Sequence, residues 1–328
     1  MPFSDMSREA LESYRPDLPA PADFDERWTA TLAEARAAGG EVAVTPVDAG
    51  LALIEASDVT FPGFGGDPVR AWWLRPRGLT ATAPVVVEFN GYGGGRGLVH
   101  ERLLWAAAGY HYVFMDTRGQ GSAWGNGGDT ADASGGGDAG APALPGFMTR
   151  GVREVETYYF RRLLTDAARC VDAVRTLPGI DPTRVVVAGA SQGGGLAIAA
   201  AGLVPDVAGA LVDVPFLCHI ERGVRVAEHD PYQEIARYLA VHRDREEETF
   251  RTLAYVDGVH HAARAQAPAL FSVALRDDVC PPSTVYAAYH AWAGPAQMVV
   301  YPYNGHEGGQ AYQQRRQLTF LDHLWENR

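Results

Sequence analysis

The stretch Val185-Val186-Val187-Ala188-Gly189-Ala190-Ser191-Gln192-Gly193-Gly194-Gly195 constrains this chain more than any other. A β-branched apolar run ends in a serine fenced by glycines, and a run of small residues follows. The order is therefore strand, tight turn, helix. Within it, Gly189-Ala190-Ser191-Gln192-Gly193 fits G-x-S-x-G, in which the serine sits at a strained turn with its hydroxyl held clear of the backbone. Glycine belongs at both ends of the motif because strand and helix cross closely there and a side chain would collide. A Gly-rich turn carrying a merely structural serine, as in many open α/β sheets, would look alike, so the surroundings decide.

The bulk properties narrow the choice. At 328 residues, 47% hydrophobic and 10% aromatic, the chain can bury a sizeable core as one large domain or two modest ones. A formal net charge of −12 argues against nucleic acid or an anionic membrane as partner and suits a neutral or cationic small substrate. Cys170, Cys218 and Cys280 are odd in number and lack C-x-x-C spacing, which fits a reducing compartment and neither a disulfide framework nor a zinc site. The N-terminus lacks the basic-then-apolar layout of a secretory signal, and no apolar run approaches a membrane span. These features imply a cytoplasmic chain.

In chain order, residues 1–50 form an N-terminal extension, helical from Asp23 to Ala38 and ended by Gly39-Gly40. Leu53 to Phe61 and Val69 to Arg75 read as an antiparallel hairpin about the turn-like Pro62-Gly63-Phe64-Gly65-Gly66-Asp67-Pro68. Val85 to Phe89 reads as a buried strand, followed by the glycine-rich Asn90-Gly91-Tyr92-Gly93-Gly94-Gly95-Arg96-Gly97, a candidate oxyanion loop. Neither a Lys-Ser/Thr ending nor G-x-G-x-x-G spacing supports a phosphate loop. A helix over His100–Gly109 and a strand over Tyr110–Asp116 complete a βαβ unit, which favours a parallel sheet.

A long glycine-crowded loop then opens with Thr117-Arg118-Gly119-Gln120-Gly121 and carries Trp124 and Phe147 near its ends. Val152–Leu177 reads as a helix. After the elbow come a strand over Ala210–Val214, a charged helical insert over about 216–265 in the place of a cap, and a strand over Ala269–Leu275. Pro281 and Pro282 deliver Ser283 as N-cap of a helix over Thr284–Trp292, and a last strand over Gln297–Tyr303 precedes a terminal helix.

A serine hydroxyl is a weak nucleophile near neutral pH and needs a base within hydrogen-bond reach, itself oriented by a third group. In the strand-elbow-helix context the partners follow in the order Ser, acid, His. Three histidines follow Asp277. His290 and His323 lie inside helices, whereas His306 lies on a Gly-rich loop after the last strand, where a ring can reach the elbow. Asp277 and Asp278 both sit after the penultimate strand, at the carboxyl edge where ligands bind in open α/β sheets. Asp277 is the better acid because it is nearer the strand end, with Asp278 facing away toward solvent, but sequence order alone leaves both open.

Arg118-Gly119-Gln120, Gly189-Ala190-Ser191-Gln192-Gly193-Gly194 and His306-Glu307 resemble the R-G-Q, G-x-S-Q-G-G and H-E signatures of carbohydrate esterase family seven, the acetyl xylan esterases and cephalosporin C deacetylases. The resemblance extends over Tyr14-Arg15-Pro16, Asn90-Gly91-Tyr92, Pro145-Gly146-Phe147-Met148, Asp213-Val214-Pro215-Phe216-Leu217-Cys218-His219, Cys280-Pro281-Pro282-Ser283 and Tyr301-Pro302-Tyr303-Asn304. It implies an α/β-hydrolase fold over residues 1–328, with a mostly parallel central sheet flanked by helices. It also implies an intracellular serine esterase, without metal or cofactor, that deacetylates short xylo-oligosaccharides and cephalosporin C as a homo-hexamer.

By that resemblance Ser191, Asp277 and His306 form a triad, and the backbone N–H groups of Tyr92 and Gln192 form the oxyanion hole. Tyr92, Phe216, Pro231 and Val279 are expected around the acyl group. Arg118 reads as a fork-shaped donor tying loops behind the site, and Glu307 as its partner or as a brace for the His306 loop. Gly93 stands where the family carries asparagine, and Arg276 and Asp278 replace less charged residues. A peptidase or thioesterase on the same triad, or a catalytically silent binding protein, are the alternatives to an esterase.

Overall fold

The computed structural model describes residues 5–123, 126–133 and 140–326, so Trp124 and the first four residues lie outside the described residues. The first elements in chain order are α1 (Arg8–Ser13), α2 (Phe24–Ala37), β1 (Ala43–Val47), β2 (Ile54–Pro62), β3 (Pro68–Pro76) and β4 (Ala83–Phe89). Then come α3 (Leu104–Ala107), β5 (His111–Met115), α4 (Tyr159–Val174), β6 (Ile180–Ala190), α5 (Gln192–Leu203) and β7 (Gly209–Asp213). The helices α6 (Ile220–Val226), α7 (Tyr232–Val241), α8 (Glu246–Ala254) and α9 (Gly258–Ala262) follow. The chain closes with β8 (Ala269–Ala274), α10 (Pro282–Ala291), β9 (Ala296–Tyr301) and α11 (Gln310–Glu326).

These elements fall into two compact units. One comprises Asp23–Pro145 and Arg162–Ala188 and holds the strand order β1-β2-β3-β5-β4-β6. Its β2 and β3 pair antiparallel from Ile54↔Pro76 to Pro62↔Pro68, as the alternating sequence requires. Val69, Ala71 and Trp73 are buried on one face of β3 while Arg70 is exposed on the other. Gly65 and Gly66 take φ of 63° and 81° in the connecting turn, the left-handed region that glycine enters without a Cβ penalty. β4 and β5 run parallel with Val85 opposite His111, and every residue of β5 is buried.

Three elements differ from the sequence reading in this region. β1 pairs antiparallel with β2 within the stretch assigned to the N-terminal extension and to no strand: four of its five residues are exposed, and Pro46 is tolerated because the strand is an edge. The helix over His100–Gly109 shrinks to a 3-10 turn at Val99–Glu101 and the four residues of α3. α4 starts at Tyr159, not Val152, because the chain first turns sharply at Gly151, whose φ is 74°. A Cβ there would lie 2.3 Å from the Thr157 carbonyl oxygen, so only glycine admits the turn.

The other unit comprises the residues up to Ala22, Gly146–Arg161 and those from Gly189 on, and holds β7, β8 and β9 in parallel, with Ala210 opposite Ala269 and Ala269 opposite Ala296. β8 is buried throughout. α5 is buried from Gln192 to Ala201 and apolar all round, the pattern of a core helix. Helices α6 to α9 occupy the stretch expected to be a helical insert. α10 begins two residues earlier than expected, with Pro281 as its cap and Pro282 in the first turn. Ser283 is therefore not the N-cap: its N–H donates to Asp5 at 2.6 Å, and its hydroxyl accepts from Arg222 Nε at 3.2 Å.

Candidate active site

The elbow is built by exclusion of side chains. A Cβ on Gly189 would lie 2.2 Å from the Gly193 carbonyl carbon, and one on Gly195 would lie 2.4 Å from the Phe216 carbonyl oxygen. Ser191 itself has φ 55° and ψ −122°, a strained conformation for a non-glycine residue. Backbone bonds hold it there. Its N–H donates to the Asp213 carbonyl at 3.0 Å, and its carbonyl accepts from Gly195 at 3.1 Å and Phe216 at 2.9 Å. Gln192, fully buried, is the first residue of α5, at the helix end where backbone N–H groups favour negative charge.

Ser191, Asp277 and His306 lie together. His306 Nε2 is 3.0 Å from Ser191 Oγ, and His306 Nδ1 is 2.9 Å from Asp277 Oδ2. Asp277 is fully buried, and its other oxygen accepts the N–H groups of Val279 at 2.9 Å and Cys280 at 2.8 Å. The carboxylate therefore has one oxygen fixed by backbone and one free to orient the imidazole with its proton on Nδ1, leaving Nε2 as acceptor for the serine proton. The His306 side chain stays 31% exposed while Asp277 is buried.

The base sits on a loop that is internally braced. Glu307 accepts from Asn304 Nδ2 at 2.9 Å and from the Gly305 N–H at 3.1 Å, and the Asn304 hydrogen bond holds its carboxyl below the usual range. Arg276 N–H donates to the Asn304 carbonyl at 3.0 Å, tying the His306 loop to the residue next to the acid. Asp278 does not turn to solvent as expected; its carboxylate is 3.3 Å from His229 Nε2, and its carbonyl accepts the Glu228 N–H at 3.0 Å.

Of the expected acyl-site residues in this unit, Phe216 is fully buried and packs edge-on against Tyr232 with ring centroids 4.6 Å apart. Pro231 follows a cis peptide bond and is buried just before α7, and Val279 is partly exposed beside the acid. Among the described residues, Asp277, Cys280 and His306 bring ligand-type atoms within 4.8 Å of one another, as do Glu228, His229 and Asp278. The first trio holds the acid and base described above beside Cys280, whose thiol burial pushes well above its ordinary value.

Tyr92 lies on the loop after β4 in the unit that contains Arg118, and is 8% exposed. Asn90 shapes this loop, accepting from the Gly91 N–H at 2.9 Å and donating to the Gly95 carbonyl. Gln120 supports it further, because its Oε1 accepts the Gly93 N–H at 2.6 Å. That contact was not legible in advance: the R-G-Q motif marks the residue without saying what its amide reaches.

Arg118 finds carboxylate partners within its own unit. Its guanidinium is fully buried and grips both oxygens of Asp166, at 2.5 and 2.8 Å, with Asp67 at 3.1 Å and Asp132 at 3.4 Å. Arg162 in turn binds Asp132 at 2.7 Å. Gly119 carries the turn between Arg118 and Gln120 with φ 66°.

The profile of the family described as acetyl xylan esterase matches residues 1–324. An acetyl xylan esterase from Paenibacillus sp. R4 is similar over 97% of this chain and 99% of its own, with 35% identity and a TM-score of 0.88. Acetyl xylan esterase 1 from a Thermoanaerobacterium species is 32% identical over 98% of this chain and 99% of its own, with a TM-score of 0.87. The acetyl esterase Axe7A of Xylanibacter ruminicola is 28% identical over 163 residues, 49% of this chain. That match spans only 36% of Axe7A, about a third of the curated relative's length. An acylaminoacyl peptidase of Pyrococcus horikoshii, 16% identical with a TM-score of 0.58 over 84% of this chain and 42% of its own, shares the fold alone.

Proposed function

The chain belongs to the acetyl xylan esterase family and is a carboxylic ester hydrolase of α/β-hydrolase fold acting on acetyl esters, and we propose that Ser191 carries this reaction with His306 as base and Asp277 as its orienting acid. The observation that supports this reading is the unbroken line from Ser191 Oγ through both ring nitrogens of His306 to Asp277, at 3.0 and 2.9 Å.

In this mechanism His306 Nε2 takes the Ser191 proton as Oγ attacks the acetyl carbonyl carbon. The carbonyl electron pair moves onto oxygen, where the Gln192 N–H stabilises it, with Tyr92 N–H the second donor carried over from the family resemblance. One such donor contributes about 10²–10³ in rate. The tetrahedral species collapses, the C–O bond to the sugar breaks, and His306 returns the proton to the leaving oxygen. Water, deprotonated by His306, then cleaves the acetyl-enzyme and restores Ser191. Phe216, Pro231 and Val279, with Tyr92, are the residues that the family resemblance assigns to the acetyl group.

The substrates are short acetylated xylo-oligosaccharides and cephalosporin C, handled by a cytoplasmic homo-hexamer. Three free, buried cysteines support the reducing compartment, and no helix among the described residues is long and apolar enough to cross a membrane. The test is a panel of acetylated xylo-oligosaccharides, polymeric acetyl xylan, cephalosporin C and p-nitrophenyl esters of rising chain length, with Ser191→Ala as the blank. Release of acetate from the small substrates is expected; preference for an aminoacyl amide, or hydrolysis by Ser191→Ala, would overturn the reading. A light-scattering mass of one chain would remove the hexamer.

A further inference from the structure

Asp213-Val214-Pro215-Phe216-Leu217-Cys218-His219 is a motif that the triad alone leaves unexplained. Its first residue closes β7, and through its backbone it already touches the nucleophile, since the Asp213 carbonyl accepts the Ser191 N–H at 3.0 Å. The loop that follows presses on α5: a Cβ on Gly194 would lie 3.0 Å from that same carbonyl oxygen.

The Asp213 carboxylate points the other way in connectivity, toward the elements that carry the acid and the base. Oδ1 accepts from Ser272 Oγ at 2.8 Å and from Gln313 Nε2 at 2.9 Å, and Oδ2 accepts from Gln317 Nε2 at 2.7 Å. Ser272 is on β8, five residues before Asp277 on the same rigid path. Gln313 and Gln317 are one turn apart on α11, which begins directly after the His306 loop, and both are buried. Gln313 also reaches the near side of that loop, because its Oε1 accepts from Tyr301 Oη at 2.8 Å at the end of β9.

The His306 loop is thus pinned at both feet. Tyr301 lies against Gly309 so closely that a Cβ there would be 2.1 Å from its ring, and Gly308 sits over Val214, the residue after Asp213. Buried amide and hydroxyl donors spent on one carboxylate are costly to leave unpaired, so the arrangement has few alternatives.

We infer that Asp213 is a positioning residue whose carboxylate fixes α11 and β8 relative to the elbow, and so sets the distance from His306 Nε2 to Ser191 Oγ. This rests on the triad reading above. The acid of the triad orients the ring; Asp213 orients the loop that carries the ring.

The experiment uses the full-length chain and p-nitrophenyl acetate, with reactive serines counted by end-point titration with a fluorophosphonate so that kcat is per competent site. Asp213→Ala is expected to lower that kcat about tenfold or more with KM within about twofold, since misplacing a catalytic group by an ångström costs on this scale. Gln313→Ala, which removes the link from Tyr301 to Asp213 while sparing the carboxylate and its Gln317 contact, is expected to lower it about fivefold and carries the test if Asp213→Ala does not fold. Asp213→Asn keeps an acceptor oxygen and the same shape, and is expected to recover to within about threefold of wild type.

A kcat per titrated serine within about twofold of wild type in Gln313→Ala and in any folded Asp213→Ala would overturn the inference, whatever happened to melting temperature. Ser191→Ala separates the two failures: activity surviving there defeats the triad itself, whereas an inactive Ser191→Ala beside a fully active Gln313→Ala defeats only the role of Asp213.

Discussion

Asp277 and Asp166 are both fully buried carboxylates facing a nitrogen base, one in each unit of the chain, and the two sites behave as opposites. Asp277 gives one oxygen to two backbone N–H groups and the other to His306, whose far nitrogen reaches Ser191 and whose side chain is partly exposed. Asp166 gives both oxygens to Arg118, and a third bond to the Phe64 N–H ties it to the hairpin turn. Burial pushes the Asp166 carboxyl upward against the opposing pull of Arg118. Burial would lower the Arg118 guanidinium, but the charge of Asp166 more than reverses it and keeps the cation in place. An imidazole can take and return a proton near neutral pH; a guanidinium cannot. Chemistry therefore follows from the partner and its open side, not from burying a carboxylate.

The largest effects should break the triad and leave the fold intact. Ser191→Ala is expected to lower kcat/KM on p-nitrophenyl acetate by on the order of 10⁶, and Asp277→Asn by on the order of 10⁴ through the wrong imidazole tautomer. Asp278→Asn, whose carboxylate meets His229 instead, should stay within about threefold of wild type. Equal losses at the two neighbouring aspartates would erase the distinction drawn here between a carboxylate that orients a base and one that merely lies beside it.

Arg118→Met should invert this pattern. It leaves Asp166 and Asp132 buried beside a side chain that cannot pair with either, although Arg162 still holds Asp132. Removing one partner of such a pair costs about 3–5 kcal/mol, so the urea midpoint should fall sharply while kcat per titrated serine changes little. A variant that kept its midpoint and lost its rate would place Arg118 on the catalytic side of the comparison.

The two sites were not equally legible in the sequence. The elbow, the His306 loop and the Asp277 loop each carry a local signal, because a strained serine needs flanking glycines and strand ends have readable apolar runs. The R-G-Q motif marked Arg118 and Gln120, but their partners Asp166, Asp132 and Gly93 lie 48, 14 and 27 positions away, and nothing local pairs a charge with a distant carboxylate. The motif beginning at Asp213 marked that residue without its partners, and Gln313 and Gln317 were invisible for the same reason, being ordinary polar residues until β7 and α11 bring them together. The edge strand β1 and the late start of α4 failed differently: an exposed strand has no apolar alternation, and a helical pattern cannot reveal that the chain first folds over Gly151.

The smallest expected effect tests the comparison from the side of the base, with a histidine that has no carboxylate on its ring. His111, on β5 in the unit of Arg118, is buried, and its Nδ1 accepts the Trp73 indole N–H at 3.2 Å. Burial therefore lowers its pKa, and the Gly179 backbone only partly opposes this. In the unfolded chain the ring titrates near about 6.5, so between that value and its lower folded value the unfolded state binds more protons. The stability it contributes is complete above about pH 6.5 and is lost as the pH falls toward the folded pKa. His219, His260 and His290 are lowered by burial too and carry the same sign. His111→Gln keeps an acceptor for Trp73 without a titrating proton, so the unfolding free energy from urea titrations taken from pH 7.5 down to about 5 should fall less steeply than in wild type, by on the order of 1 kcal/mol or less at the acid end. A steeper fall in the variant would mean that the ring is held charged in the folded chain, as a carboxylate-paired histidine would be, and that burial alone does not separate His111 from the imidazole at the active site.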